Sequence, residues 1–259
     1  MRHCFVITLI FCFSLSGFAQ NPDSRVSMES KRAAKTKIAT NISLGGNSWT
    51  GNTNKGTLIG SLNLAAVDSV KEFSFDARYA YGENNNKVNQ REFLMGLQYD
   101  YHPLSVFSPF MRIELYNNEF RNIKSRYSGL AGAKYRFFLY KKEGVTTSDF
   151  SISGAFSYVF EKYTPDAQSS NQQKVRLSLR PKIKQKIAKN IYFQSELYFM
   201  PKISCWEDYI IYLRSNVNFL VNSNVFIKCS YEHEYESKPI TSDIRKTDTI
   251  LAISLGISL

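Results

Sequence analysis

Between Lys37 and Leu259 the chain alternates, residue by residue, between apolar and polar side chains, and it repeats that alternation in about twelve separate rows. A period of two is the signature of a β-strand, whose successive side chains point to opposite faces. Typical apolar rows are Phe73, Phe75, Ala77, Tyr79, Tyr81 and Phe150, Ile152, Gly154, Phe156, Tyr158, Phe160. The final one is Thr249, Leu251, Ile253, Leu255, Ile257, Leu259. No Lys, Arg, Asp or Glu falls on these rows, although 21% of the chain is charged. The charge sits on the complementary rows, at Glu72, Asp76, Arg78, Arg112, Glu114, Lys134, Arg136, Arg214 and Lys228 among others.

A soluble sandwich also alternates, but it buries the apolar rows and wets the polar ones. Two features favour the inverted arrangement. Rows such as Phe93 to Tyr101 and Phe150 to Phe160 run nine and eleven residues. That suits a tilted membrane-crossing strand of ~9–11 residues better than a soluble strand of ~5–6. Aromatics also gather near strand ends, at Tyr79, Tyr81, Tyr99, Tyr101, Tyr135, Phe137, Tyr158 and Phe160, as interfacial girdles do. The links agree. Val67 to Ser69, Ile187 to Asn190 and Val221 to Asn224 read as tight turns after even strands, with Lys141 to Thr147 a longer exception. The polar stretches 46–54, 82–90, 117–125, 161–172 and 236–246 read as longer loops after odd strands. The expected fold is therefore all-β: an antiparallel transmembrane β-barrel of outer-membrane type, with about twelve strands over residues 36–259.

The amino terminus sets the compartment. Arg2 and His3 form a basic head, Cys4 to Leu15 an apolar run, and Ser16-Gly17-Phe18-Ala19 a small-residue end before Gln20. This is a secretory signal peptide over 1–19, cleaved after Ala19 and followed by a short polar leader, 20–35. The run is too short to span a ~30 Å hydrocarbon core, and Phe11 is too bulky to precede a lipidated Cys12. Cleavage leaves two cysteines, Cys205 and Cys229, too few for a disulfide framework; Cys205 is expected in an external loop and Cys229 on a lipid-facing row. The formal net charge of +11 falls by one with Arg2 and stays basic, which suits contact with anionic phosphates. Export directs that contact to outer-membrane lipids and lipopolysaccharide rather than nucleic acid.

Three blocks resemble a known family. They are Gly51-Asn52-Thr53 leading into Leu58 to Leu64; Phe110 to Phe137, with Glu119-Phe120-Arg121 and Gly129-Leu130-Ala131-Gly132-Ala133-Lys134-Tyr135-Arg136-Phe137; and Tyr235-Glu236-Ser237-Lys238-Pro239 followed by Lys246 to Thr249. They are similar to the salt-induced outer-membrane proteins of domain-of-unknown-function family 481, the YdiY-like group. The resemblance implies an outer-membrane barrel, inserted by the barrel-assembly machinery and tied to salt or osmotic response. It brings no catalytic residue, because no activity is established for the family. The chain departs from the usual barrel in closing on Gly256-Ile257-Ser258-Leu259 rather than on an aromatic residue.

Chemistry-bearing residues are sparse. Lipid hydrolysis on a barrel needs a Ser and a His base on adjacent strands. Ser195 and Ser215 lie on apolar rows without a paired His, and His233 reads as a headgroup-level residue. Cys205, Cys229 and His233 do not fall at metal-ligand spacing. The expectation is no enzyme, no metal and no cofactor. Trp49 and Trp206 read as interface anchors. The sharpest local feature is the run Arg176, Arg180, Lys182, Lys184 on one face of strand eight. It is either a basic ladder lining a pathway for small anions or a set of structural cations, with Glu161, Glu196, Glu232 and Glu234 as acidic lumen partners. Pro181 removes a ladder donor and predicts a bulge or weak pairing there. The functions that fit are a narrow channel for small ions or solutes, or a structural outer-membrane protein. A soluble secreted lipocalin-like barrel binding an apolar ligand is the alternative, with an outer-membrane lipid hydrolase behind it.

Overall fold

The computed structural model describes residues 37–49, 55–68, 70–85, 87–142, 145–165, 171–240 and 245–259. The expected signal peptide and leader lie outside these residues. Twelve strands form in chain order. The first six are β1 (Lys37–Trp49), β2 (Lys55–Val67), β3 (Lys71–Asn84), β4 (Lys87–Tyr101), β5 (Phe107–Asn118) and β6 (Ile123–Lys142). The second six are β7 (Val145–Tyr163), β8 (Gln172–Ala188), β9 (Ile191–Lys202), β10 (Cys205–Leu220), β11 (Val225–Glu236) and β12 (Thr247–Ser258). Each pairs antiparallel with its neighbours in sequence, and β12 returns to β1 to close the barrel. Closure satisfies the backbone groups that an open sheet would leave at its edges, which hydrocarbon cannot hydrate. Thr40 and Leu259 complete the seam with reciprocal backbone bonds of 3.1 and 2.9 Å.

Alternation decides the facing. The apolar rows point outward: Phe156 is 66% exposed, Ile113 62% and Leu251 67%. The rows between them point into the lumen, where Ser74, Asp100, Ser151, Glu161 and Arg176 are buried. Among the described residues no helix is long and apolar enough to cross a membrane; the strands supply the crossing, and the shortest of them has 12 residues. We call the end where β1 starts and β12 finishes the near end, and the opposite rim the far end. Outward aromatics cluster toward both. Phe73–Tyr99 and Tyr135–Phe137–Phe150 pack near one rim, and Tyr127–Phe160 and Phe199–Tyr209–Tyr235 near the other. The chain is thus a transmembrane β-barrel of outer-membrane type.

Several links differ from the sequence reading. β6 and β7 stay paired as far as Lys142 and Val145, so the expected long link at 141–147 is a tight one. A bulge between Arg136 and Phe138 puts Phe137 and Phe138 side by side on the outer face, both half exposed. The stretch 82–90 is mostly strand, with Asn84 opposite Lys87 and a left-handed Asn85 (φ 50°) in the turn; Asn tolerates that conformation better than most residues. Cys205 opens β10 opposite Lys202 rather than sitting in a loop. On the far rim Trp206 is exposed as expected, while the side chain of Trp49 lies outside the described ones. His233 faces outward, stacked on Tyr231 and bonded to Thr249.

Candidate functional site

Among the described residues the lumen is where this fold gathers buried charge, because the charged side chains of the strands lie on the inward rows and those rows converge on one axis. Its near half is a cavity of about 210 Å³. Six cations line it, Arg78, Arg112, Arg180, Lys182, Arg214 and Lys228, against three carboxylates, Asp76, Glu196 and Glu232. Asn and Ser side chains of β1, β2 and β10 to β12 line it as well, together with Gln98, Gln194 and the apolar Ile59, Leu94 and Phe226. A second cavity of about 150 Å³ lies above it. The two share Leu94, Arg112, Arg180, Tyr198 and Arg214, which therefore make the waist between them. Arg126 and Glu161 then border both the middle cavity and a far vestibule of about 230 Å³. Cavities thus follow one another along the axis.

The four strand-eight cations do not act as one ladder. Arg176 turns to Asp208 at 2.7 Å and to the backbone oxygens of Met200 and Asp208. Arg180 lies between the rings of Phe110 and Tyr198 and donates to Ser153 Oγ and Tyr198 Oη. Lys182 faces Glu196 at 3.5 Å. Lys184 lines a small near-end cavity beside Arg136 and Asp149. Pairing to β9 passes from Leu179↔Phe199 directly to Lys182↔Glu196, in unchanged register, around Arg180 and Pro181. The missing proline donor interrupts the ladder without a bulge.

Among the expected acidic partners, Glu161 serves Arg126 (2.6 Å) and Lys174 (2.8 Å) and accepts a short hydrogen bond from Tyr163. Lys174 is thus a fifth cation of the β8 face, one that the sequence reading passed over. Glu196 sits between Lys182 and Arg214. Glu232 is shared by Arg78 at 3.3 Å and Arg214 at 3.6 Å and accepts from Tyr212 at 2.8 Å. Arg112 grips Asp76 through both terminal nitrogens, at 2.7 and 2.9 Å. Gly96 makes room for that grip, since a Cβ there would lie 2.0 Å from the guanidinium. Charges at these depths persist because partners offset their desolvation.

Arg121 is the principal residue that sequence reasoning missed. It ends a one-turn 3-10 segment, Glu119–Arg121, between β5 and β6. Asn118 caps that turn by accepting from the Arg121 N–H, and left-handed Asn122 (φ 59°) closes it. The turn directs the guanidinium across the far mouth to β11 and β12, half-way round the barrel. There it meets Glu234 at 2.6 Å, Glu236 at 2.8 Å and Asp248 at 3.6 Å. Burial works against its charge, but Glu234 and Glu236 outweigh that and raise its pKa. Beneath it Tyr116, Ile123 and Tyr163 pack with Ile240 of the β11–β12 link. Arg121 thus straps the β5–β6 link to β11 and β12 across the far mouth.

Ser195 and Ser215 hydrogen-bond to each other on the outer face. Among the described residues no group of three or more His, Cys, Asp or Glu is placed to hold a metal ion, and Cys205 and Cys229 are free thiols.

Solved barrels similar to the chain include the translocator domain of the autotransporter NalP from Neisseria meningitidis, with a TM-score of 0.45, 9% identity, and coverage of 90% of this chain and 91% of that one. The NanC porin gives a TM-score of 0.44 and 10% identity, covering 86% and 98%. The KdgM porin gives 0.43 and 14%, covering 85% and 97%. No curated protein sequence matches the chain significantly. A family model does match, over residues 42–259. Because that match covers most of its length, the chain belongs to the family described as "Protein of unknown function, DUF481".

Proposed function

We propose that the chain is exported through a cleaved signal peptide and inserted by the barrel-assembly machinery into a bacterial outer membrane, near end inward. There it contacts lipid and lipopolysaccharide and forms a narrow passage for small ions or solutes, with a preference for anions. The observation that carries this reading is the near-half cavity, where six cations meet three carboxylates below a waist ringed by Arg112, Arg180 and Arg214. Glu92 and Glu114, just beyond the wall of that cavity, also pair with Arg78 and Arg112; the positive charge left in excess in a narrow low-dielectric passage concentrates anions and repels cations. Twelve strands also fall between small barrels filled by side chains and wide aqueous porins, in keeping with a lumen broken into small cavities. The exposed apolar rows argue against a soluble barrel with an apolar pocket, because here the interior is the polar side. The strap at Arg121 makes the closed, structural barrel the competing reading. The test is carbonate extraction of membranes, then planar-bilayer recording of the purified protein in a salt gradient. An integral protein whose reversal potential favours anions is expected. A protein that inserts but passes no current would leave the structural reading in its place.

A further inference from the structure

Lys228 stands apart from the other cations of the near-half cavity. Arg78, Arg112, Lys182 and Arg214 each face a carboxylate, and Arg180 is held by rings and hydroxyls. Among the described residues Lys228 has no hydrogen-bond acceptor and no carboxylate within ion-pair distance. Its neighbours by register are Asn218 on β10 and Ser254 on β12, with Ser230 two residues along β11. Glu232, four residues along the same strand, is already shared by Arg78, Arg214 and Tyr212. The contacts of Arg78 Nη2 and Arg214 Nε with Glu232 are long, 3.3 and 3.6 Å, and neither buried nitrogen makes a hydrogen bond. Along the adjoining wall, past β12, lie Asn41, Ser43, Ser61 and Asn63 of β1 and β2, and the buried Asn41 amide oxygen also lacks a hydrogen-bond partner.

We propose that this cavity is a binding site for a small oxyanion that also carries hydroxyl groups, with Lys228, Arg78 and Arg214 holding the charge. A guanidinium presents its donors in a fork that matches a carboxylate or phosphate, and an ammonium supplies the point charge between. Asn and Ser side chains each donate and accept, so the adjoining wall of β1 and β2 suits hydroxyls, which do both. A bare halide would meet the cations and leave those acceptors unanswered. The space, about 210 Å³, far exceeds the ~10–15 Å³ that holds one water. This deepens the passage reading by naming the class of solute, but the binding itself does not require conduction.

The test is calorimetric titration of the full chain, folded in detergent micelles, with gluconate, inorganic phosphate and chloride at constant ionic strength. Gluconate is expected to bind saturably at one site, phosphate more weakly, and chloride without saturation. Lys228→Gln should weaken gluconate binding at least about tenfold, the loss expected for one charge-assisted hydrogen bond. Asn218→Asp, which sets a carboxylate beside Lys228 on the paired strand, should abolish it. Lys134→Gln, whose side chain faces Asp100 outside this cavity, should leave it unchanged. Binding no stronger for gluconate than for chloride overturns the site, and so does unchanged affinity in both Lys228→Gln and Asn218→Asp when each migrates as a folded barrel. Phosphate bound as tightly as gluconate removes the role of the hydroxyl wall. Conductance without saturable gluconate binding sinks this site and spares the passage. Binding without conductance does the reverse.

Discussion

Phe156 and Ser157 are neighbours on β7, yet one is 66% exposed on the outer face and the other 4% exposed on the lumen side. The pleat alone separates them. Phe156 lies between the outward aromatics Phe150 and Phe160, near the middle of the apolar band. Phe156→Lys should therefore destabilise the barrel by about 2–4 kcal/mol, the cost of a lysine near the bilayer midplane. Ser157→Asn, entering a polar lumen, should cost far less. Denaturant melts of both variants refolded in lipid vesicles would show it, and equal stabilities would mean that β7 is assigned to the wrong register. Facing of this kind was legible in the sequence because it depends only on parity. Partners were not. Glu161 could be read as an acidic lumen residue, but its pairing with Arg126 and Lys174 depends on which strands adjoin and at what register. The Asp208 that holds Arg176 sits two residues after Trp206 at a strand start, where no periodic signal marked it.

At the scale of elements, all twelve apolar rows became strands, and most differences lie at their ends. Polar stretches read as loops were in part strand, because a strand that rises above the hydrocarbon no longer needs an apolar outer face. The stretches 46–54 and 82–90 carry β1 to Trp49 and β3 to Asn84 before turning. The bulge at Phe137 and Phe138 breaks parity within β6, so a strict period of two ends there while the strand continues. The strap at Arg121 was out of reach for another reason. It is made by a one-turn segment whose partners lie more than a hundred residues away, and neither periodicity nor spacing encodes that contact. Arg121→Gln should release the Glu119–Arg121 turn from the mouth and leave Glu234 and Glu236 without their shared cation. Single-channel conductance is expected to rise, and protease access to the β5–β6 link with it. A variant with wild-type conductance and wild-type protection would show that the strap does not limit the passage.

Across the whole molecule, exterior and lumen follow from the same alternation, and the sign of the lumen follows from how charges distribute along the axis. The far half is close to balanced: Arg121 is met by Glu234 and Glu236, Arg176 by Asp208, and Glu161 answers both Arg126 and Lys174. On the wall of the near-half cavity cations outnumber carboxylates, so the proposed anion preference would be set in that half. Arg180 and Lys182 border the near cavity, and Arg180 also borders the waist. Replacing both with Gln leaves four cations facing the same three carboxylates, and it frees Glu196 from Lys182 while Arg214 still faces it. The reversal potential in a salt gradient should then shift toward cations. The fold should persist, because the backbone ladder and the other ion pairs are untouched. High salt should erase the difference between the two proteins, since ~1 M ions screen charges beyond about 3 Å. An Arg180→Gln, Lys182→Gln double variant that keeps the wild-type reversal potential at low salt would place the selecting charges elsewhere, with the Arg78, Arg112 and Arg214 side of the lumen the next to replace.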